Sequence, residues 1–190
     1  LAQYYYTIAT LPFFSYDAVS AIRSEDFLAR CAEDMSDSAY CSLCYAKLDI
    51  SDQKEDELPA FLISWYRFER ELRNELVRSR AAGLGMDAAV YVRPGEGPTG
   101  IEEIVRDALG QPTPLQAEDV LNKARWRKLE EMEVGHYFDL QRMMIIYLKL
   151  QLLERKGAFR PELGTERFEE IYADVREAVA SASSTGNGES

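Results

Sequence analysis

The chain has 190 residues, 46% of them hydrophobic and 11% aromatic, enough apolar material for a folded domain and too much for a disordered chain. Its formal net charge of −11 is spread evenly, with 10 basic against 15 acidic side chains in residues 1–95 and 12 against 18 in residues 96–190. Neither half offers the basic face that a phosphate backbone or an anionic lipid surface requires, so nucleic acid and a direct grip on lipid headgroups are disfavoured.

The opening LAQYYYTIAT lacks the basic and apolar regions of a signal peptide. Within it YYYTI (4–8) has strand character, although so brief a run does not separate strand from buried helix. Ser24 is expected to precede and cap a helix over EDFLARCAEDM, with acids in the first turn where the helix dipole favours them. Ser36 caps a second short helix, DSAYCSLCYAKL. After the acidic linker DISDQKEDEL, Pro59 opens the longest helix, which runs to about Ala82 and stops at Gly83-Leu84-Gly85. AVYV (89–92) is the other stretch with strand character.

YVRPGEGPTG, Tyr91 to Gly100, is the clearest break in the chain. Thr99 with Glu102 reads as a capping box for a short helix ending at Gly110. Thr113 and Pro114 open a helix to about Val134, and Gly135 marks a turn or kink. His136 to Lys156 forms the next helix and Thr165 to about Ala182 the last, with SSTGNGES a frayed tail. The expectation is a mainly α protein, a bundle of about six to seven helices. It forms one domain over 1–182, arranged as two lobes, 1–90 and 99–182, about a linker at 91–98, with a disordered tail at 183–190.

Two helices carry the informative faces. Phe61, Trp65, Phe68, Leu72 and Leu76 are spaced by 4, 3, 4 and 4 residues and form one apolar stripe, with Trp65, Phe68 and Leu72 as core anchors. Leu62, Tyr66 and Val77 widen it. Glu69 and Arg73, an i,i+4 pair in the favourable order, fall inside the widened arc, while Arg67, Arg70, Glu71, Asn74 and Arg78 face the other way. Two readings of the pair are open: an edge pair with its charged ends in water, or a partly buried pair between two packing surfaces or against a partner. In the helix from His136 to Lys156, Met143, Met144, Ile145, Ile146, Tyr147, Leu148, Leu150, Leu152 and Leu153 point nearly all round. Arg142 and Lys149 mark a narrow wet seam, so the helix is expected to be buried by several neighbours, with Tyr147 as a further core anchor. The most apolar run, Met143 to Leu153, has eleven residues and includes Lys149 and Gln151, whereas a membrane span needs roughly 20.

Candidate chemistry is sparse. Cys41 and Cys44 form a C-x-x-C inside an apparent helix, with only Cys31 and His136 as further ligands. Zinc usually takes four, and a redox pair usually opens a helix, so buried structural cysteines are expected and a metal or redox site is the alternative. The odd number of thiols points to a reducing compartment and a cytoplasmic location. His136, with Asp139 at i+3, reads as a residue packed at a helix terminus; no nucleophile stands in a recognisable setting to complete a triad. PGEGPTG lacks the Lys-Ser/Thr and preceding strand of a P-loop. No catalytic, cofactor-binding or metal residue is assigned, and no cofactor is expected.

The stretches QYYYTIATLPFF, FLISWYRFERELRNELVRSRAAGLG, FDLQRMMIIYLKLQLLERKGAF and FEEIY together resemble a bacterial family of unknown function encoded in operons for rotary V-type ATPases. The likeness runs from Gln3 to about Tyr172. That family is distantly similar to component C of V/A-type ATPases, an all-helical funnel that acts as the adaptor between the central shaft and the membrane ring. This adaptor carries an acidic-x-x-Asn step followed by Arg, to which Glu71, Asn74 and Arg78 are similar, with a shorter interval between Asn and Arg. The resemblance implies a non-catalytic accessory protein of the ATPase, one that couples ATP hydrolysis or synthesis to ion transport. Its partners would be the shaft proteins and the ring, and it would be peripheral to the inner membrane through the complex without inserting. An assembly factor for the same ATPase, or an unrelated small helical enzyme or metal protein using Cys41, Cys44 and His136, are the alternatives.

Overall fold

The computed structural model describes residues 4–158. Among these the chain is helical, with no strand. The helices are α1 (Tyr5–Ala9), α2 (Ser24–Asp34), α3 (Asp37–Cys44), α4 (Ala60–Leu84), α5 (Ile101–Leu109), α6 (Pro114–Glu133) and α7 (Leu140–Ala158), with 3-10 turns at Glu55–Glu57 and Ala88–Val90. The mainly α expectation holds. The helix expected over Thr165 to Ala182 and the tail lie outside the described residues. No helix among the described residues is long and apolar enough to cross a membrane.

Local chemistry accounts for most of the boundaries. Pro59 precedes α4, and Gly85 ends it in the left-handed region at φ 66°, where an L side chain is strained. The Met86 N–H then donates to the Ala81 carbonyl and the Gly85 N–H to that of Ala82, which satisfies two orphan carbonyls of the last turn. Thr113 caps α6, its hydroxyl accepting from the Gln116 N–H, with Pro114 in the first turn. Ser36 caps α3 through the Ala39 N–H.

Four local expectations are corrected. Ser24 is the first residue of α2 and does not cap it: its N–H and hydroxyl both donate to the Glu154 carboxylate, each at 2.6 Å. Thr99 does not cap α5, because Gly100, at φ 86°, occupies that position and no side chain caps the helix. The two stretches with strand character are helical turns, α1 and Ala88–Val90; the Tyr4 N–H is taken by the Phe138 carbonyl at 3.1 Å. The last described helix starts at Leu140, not His136. Asp139 accepts the Arg142 N–H at 2.9 Å there and also holds His136 Nδ1 at 2.7 Å.

The chain divides into compact units at 154/155, not at the Gly/Pro stretch. Residues 1–154 form one unit that runs straight through 91–98, so the expected lobes are not where the chain separates; the second unit, 155–190, is described only to Ala158. The stretch fails as a hinge because α4 holds it by side-chain bonds, and α5, which follows it, packs against both α4 and α6.

The core gathers Phe27 and Leu43 from α2 and α3, the stripe of α4, Leu121 and Leu129 of α6, and most of α7. Trp65, Phe68 and Leu72 are buried, with the Trp65 indole N–H donating to the Lys47 carbonyl at 3.1 Å. Met143 and Met144 are buried as well. Tyr147 is only half-buried and packs on the core's edge, its ring stacked on Phe27 at 6.2 Å. The wet seam of α7 is only half present, with Arg142 partly exposed and Lys149 buried. Lys149 is 6% exposed, bonded to Glu133 with its ammonium 4.9 Å from the Trp126 ring, and Arg142 pairs with the same carboxylate. Burial, then the charge of Arg142, push the Lys149 ammonium down to about 8, with the Glu130 carboxylate acting the other way.

Candidate functional site

The residues singled out on α4 form two polar layers, one inside the core and one on the opposite face. The inner layer is centred on Glu69, which has no exposed surface. Its Oε1 accepts from Arg125 Nε of α6 at 2.6 Å; Arg125 donates from the same guanidinium to Asn122 Oδ1 at 3.0 Å and lies 3.5 Å from Glu118. Arg73, the expected partner, is secondary. Its Nε stands 3.7 Å from Glu69 Oε2, beyond hydrogen-bond reach, and its Nη1 donates to Asp49 at 3.0 Å and Ser51 at 3.2 Å. The partly buried Glu69–Arg73 pair is present as the looser contact, with Arg125 the closer partner of Glu69, and Arg73 also ties the 49–51 loop to α4. Glu69 Oε2 is left without a hydrogen bond among the described residues, so the attraction of Arg73 is its main compensation.

The outer face is where α4 departs most from expectation. Arg70 and Asn74, placed by helical geometry away from the apolar stripe, are buried at 4% and 3% exposure. What covers them is the Gly/Pro loop. Asn74 brackets the backbone of Arg93, its Nδ2 donating to the carbonyl at 2.9 Å and its Oδ1 accepting the N–H at 2.8 Å. Arg70 donates to the Glu96 carbonyl at 2.5 Å and to Glu55 at 2.8 Å, and its guanidinium lies 5.7 Å from the centre of the Tyr66 ring. Arg93 reaches across to the carbonyls of Ile50 and Ser51.

Close approach dictates the loop's composition. A Cβ on Gly95, whose φ is 130°, would sit 2.5 Å from the Arg70 guanidinium, and one on Gly97 would sit 2.7 Å from Glu71 Cβ. A chain that must lie directly on two long charged side chains needs glycine at those points.

Glu71, Asn74 and Arg78 are brought together. Arg78 donates to Glu71 at 2.7 Å and to Glu75 at 3.0 Å, and Asn74 lies 3.5 Å from the other Glu71 oxygen. Arg67 donates twice to Glu55, the leading reason that carboxyl is held below the usual range. The members of these networks that sequence reasoning missed are Arg125, Asn122, Arg93, Glu55 and Asp49. A signal for one of them existed: Leu121, Arg125, Leu129 and Met132, spaced by 4, 4 and 3, put Arg125 inside the apolar arc of α6 as Glu69 sits inside that of α4.

The cysteines and the histidine do not assemble into one centre. Cys31 is buried, Cys44 half-buried and Cys41 exposed at the end of α3, so burial holds fully for Cys31 alone. Its thiol is pushed up to about 12, by burial first and then by Asp34. His136 packs edge-on to Phe61 at 5.0 Å and bonds Asp139, the role of a residue at a helix terminus. No group of three or more His, Cys, Asp or Glu among the described residues is placed to hold a metal ion.

No protein-family model, curated protein or solved structure matches the chain.

Proposed function

We propose that the protein is a non-catalytic accessory of a V-type rotary ATPase, an adaptor between the central shaft and the membrane ring. The resemblance of its sequence suggests the role, and one structural observation supports it: several charged and polar side chains of α4 brace it to other parts of the fold. Glu69 bolts α4 to α6 through Arg125, while Arg70, Arg73 and Asn74 lash the 49–51 and 93–96 loops to the same helix. An adaptor that carries torque must resist shear between its helices, and paired charges at fixed separations resist sliding better than apolar contacts alone, which are non-directional. Such a protein would meet the ring through protein contacts on the cytoplasmic side of the inner membrane, without a span of its own.

The test is purification of the ATPase from its native membrane in mild detergent, with and without the gene for this chain. The adaptor reading expects the chain in the intact complex, and expects its loss to uncouple ATP hydrolysis from ion pumping. A fully coupled complex that lacks the chain overturns it; if that complex also forms in lower yield, the protein is an assembly factor.

A further inference from the structure

The thiols left over from the proposed role are unequal in a way that bears on their chemistry. Cys41 is exposed, Cys44 half-buried and Cys31 fully buried. Cys41 and Cys44 together line a hollow of about 250 Å³ between the end of α3 and the segment 52–58, with Tyr45, Lys47, Gln53 and Leu58 among its walls. A hollow lined by two cysteines can admit a small sulfur reagent.

Spacing puts Cys41 and Cys44 on one face of α3, at its last turn. Residues at i and i+3 of a helix share a face, with Cβ atoms roughly 5–6 Å apart, and a disulfide requires about 3.5–4.5 Å. The helix tightens just beyond this pair. The Tyr45 N–H donates to the Ser42 carbonyl at 3.3 Å and the Ala46 N–H to that of Leu43 at 2.9 Å, the three-residue spacing of a 3-10 turn. Cys44 is the last residue of α3, so closing the remaining gap asks only the terminal turn to adjust.

We propose that Cys41 and Cys44 form a dithiol that closes to an intrahelical disulfide by exchange with a small disulfide of the glutathione class. The Cys41 thiolate attacks one sulfur of the reagent, giving a mixed disulfide and releasing one small thiolate. The Cys44 thiolate then attacks Cys41 Sγ, forming the Cys41–Cys44 bond and releasing the second. Two protein thiols are oxidised, one small disulfide is reduced to two thiols, and the two protons pass to the released thiolates. Cys31 takes no part, since its buried thiol is out of reach of the reagent.

The experiment equilibrates the full chain with oxidised glutathione, quenches with acid, alkylates under denaturing conditions and maps the cysteines by mass spectrometry. Wild type should lose the alkylatable thiols of Cys41 and Cys44, carry no lasting glutathione and keep Cys31 free. Cys44→Ser, lacking the resolving thiol, should accumulate glutathione on Cys41. Circular dichroism taken before the quench establishes that the folded protein reacted. A wild-type protein that retains glutathione on Cys41 with Cys44 still free overturns the proposal, as does a disulfide between Cys31 and Cys44.

Discussion

Glu69 of α4 and Arg125 of α6 meet at 2.6 Å with Glu69 wholly buried and the Arg125 side chain 5% exposed. Each lies within its own helix's apolar arc and answers the charge of the other. The arrangement favours one rotation and register of two long helices, because sliding either by one turn would break the closest contact of each buried charge.

That dependence can be measured. Glu69→Ala should cost roughly 3–5 kcal/mol, the penalty for stranding the other member of a buried pair. The double replacement Glu69→Met with Arg125→Met should recover most of the loss, since no unpaired charge remains. Urea unfolding of wild type and the two variants gives both the loss and its recovery. An alanine variant with an unchanged midpoint would show that Glu69 is not paired as described.

The loop over the outer face of α4 offers a second test. Asn74→Ala leaves the N–H and carbonyl of Arg93 without their bracket, a loss of about 1–3 kcal/mol. Gly97→Ala puts a methyl 2.7 Å from Glu71 Cβ and should lift the same segment. Both variants should become sensitive to proteolytic cleavage within 91–98 well below their unfolding temperature. Cleavage no faster than in wild type would mean the bracket is dispensable.

How far these features could be read from the sequence follows from the range of the signals. The stripe Trp65, Phe68, Leu72 is a local pattern, and helix periodicity placed it correctly. Thr113-Pro114 and Gly85 are local start and stop signals, and they too were legible. Arg70 and Asn74 were not: local periodicity puts them on the solvent side, and only the return of residues 93–96, about twenty positions later, buries them. Ser24 misled for the same reason, since its capping hydroxyl is claimed by Glu154, 130 residues away. The Gly/Pro stretch looked like a linker because glycine serves both a free hinge and a chain pressed against a guanidinium, and composition does not distinguish them.

Asp49 provides a pH test. Hydrogen bonds from Ser51, with a further contribution from Arg73, hold its carboxyl down to about 2 against an ordinary 3.8. A depressed folded-state value means the unfolded chain binds the proton first as pH falls. The stabilisation is therefore complete above about pH 4 and disappears as the pH falls toward 2. Asp49→Asn should flatten this part of the acid unfolding profile while leaving Glu69–Arg125 intact. The effect will be small, because the Asp49 side chain is 74% exposed and water screens it. Identical acid limbs for wild type and Asp49→Asn would show that Asp49 contributes nothing to acid stability.

Trp65 is the position at which core and interface roles can be told apart. Its side chain is 1% exposed, its ring centroid lies 6.0 Å from that of Phe68, and its indole N–H is spent on the Lys47 carbonyl. Trp65→Ala should cost roughly 3–5 kcal/mol, the usual range for emptying a core aromatic site. Trp65→Phe should cost less, because the phenyl ring refills most of the volume and only the bond to Lys47 is lost, at about 0.5–1.5 kcal/mol with water able to replace it. Denaturant midpoints at constant slope give both values. If Trp65→Ala keeps wild-type stability and fails instead to co-purify with the ATPase, the residue is an interface contact. The stripe of α4 would then face a partner at this position and not the protein's own core.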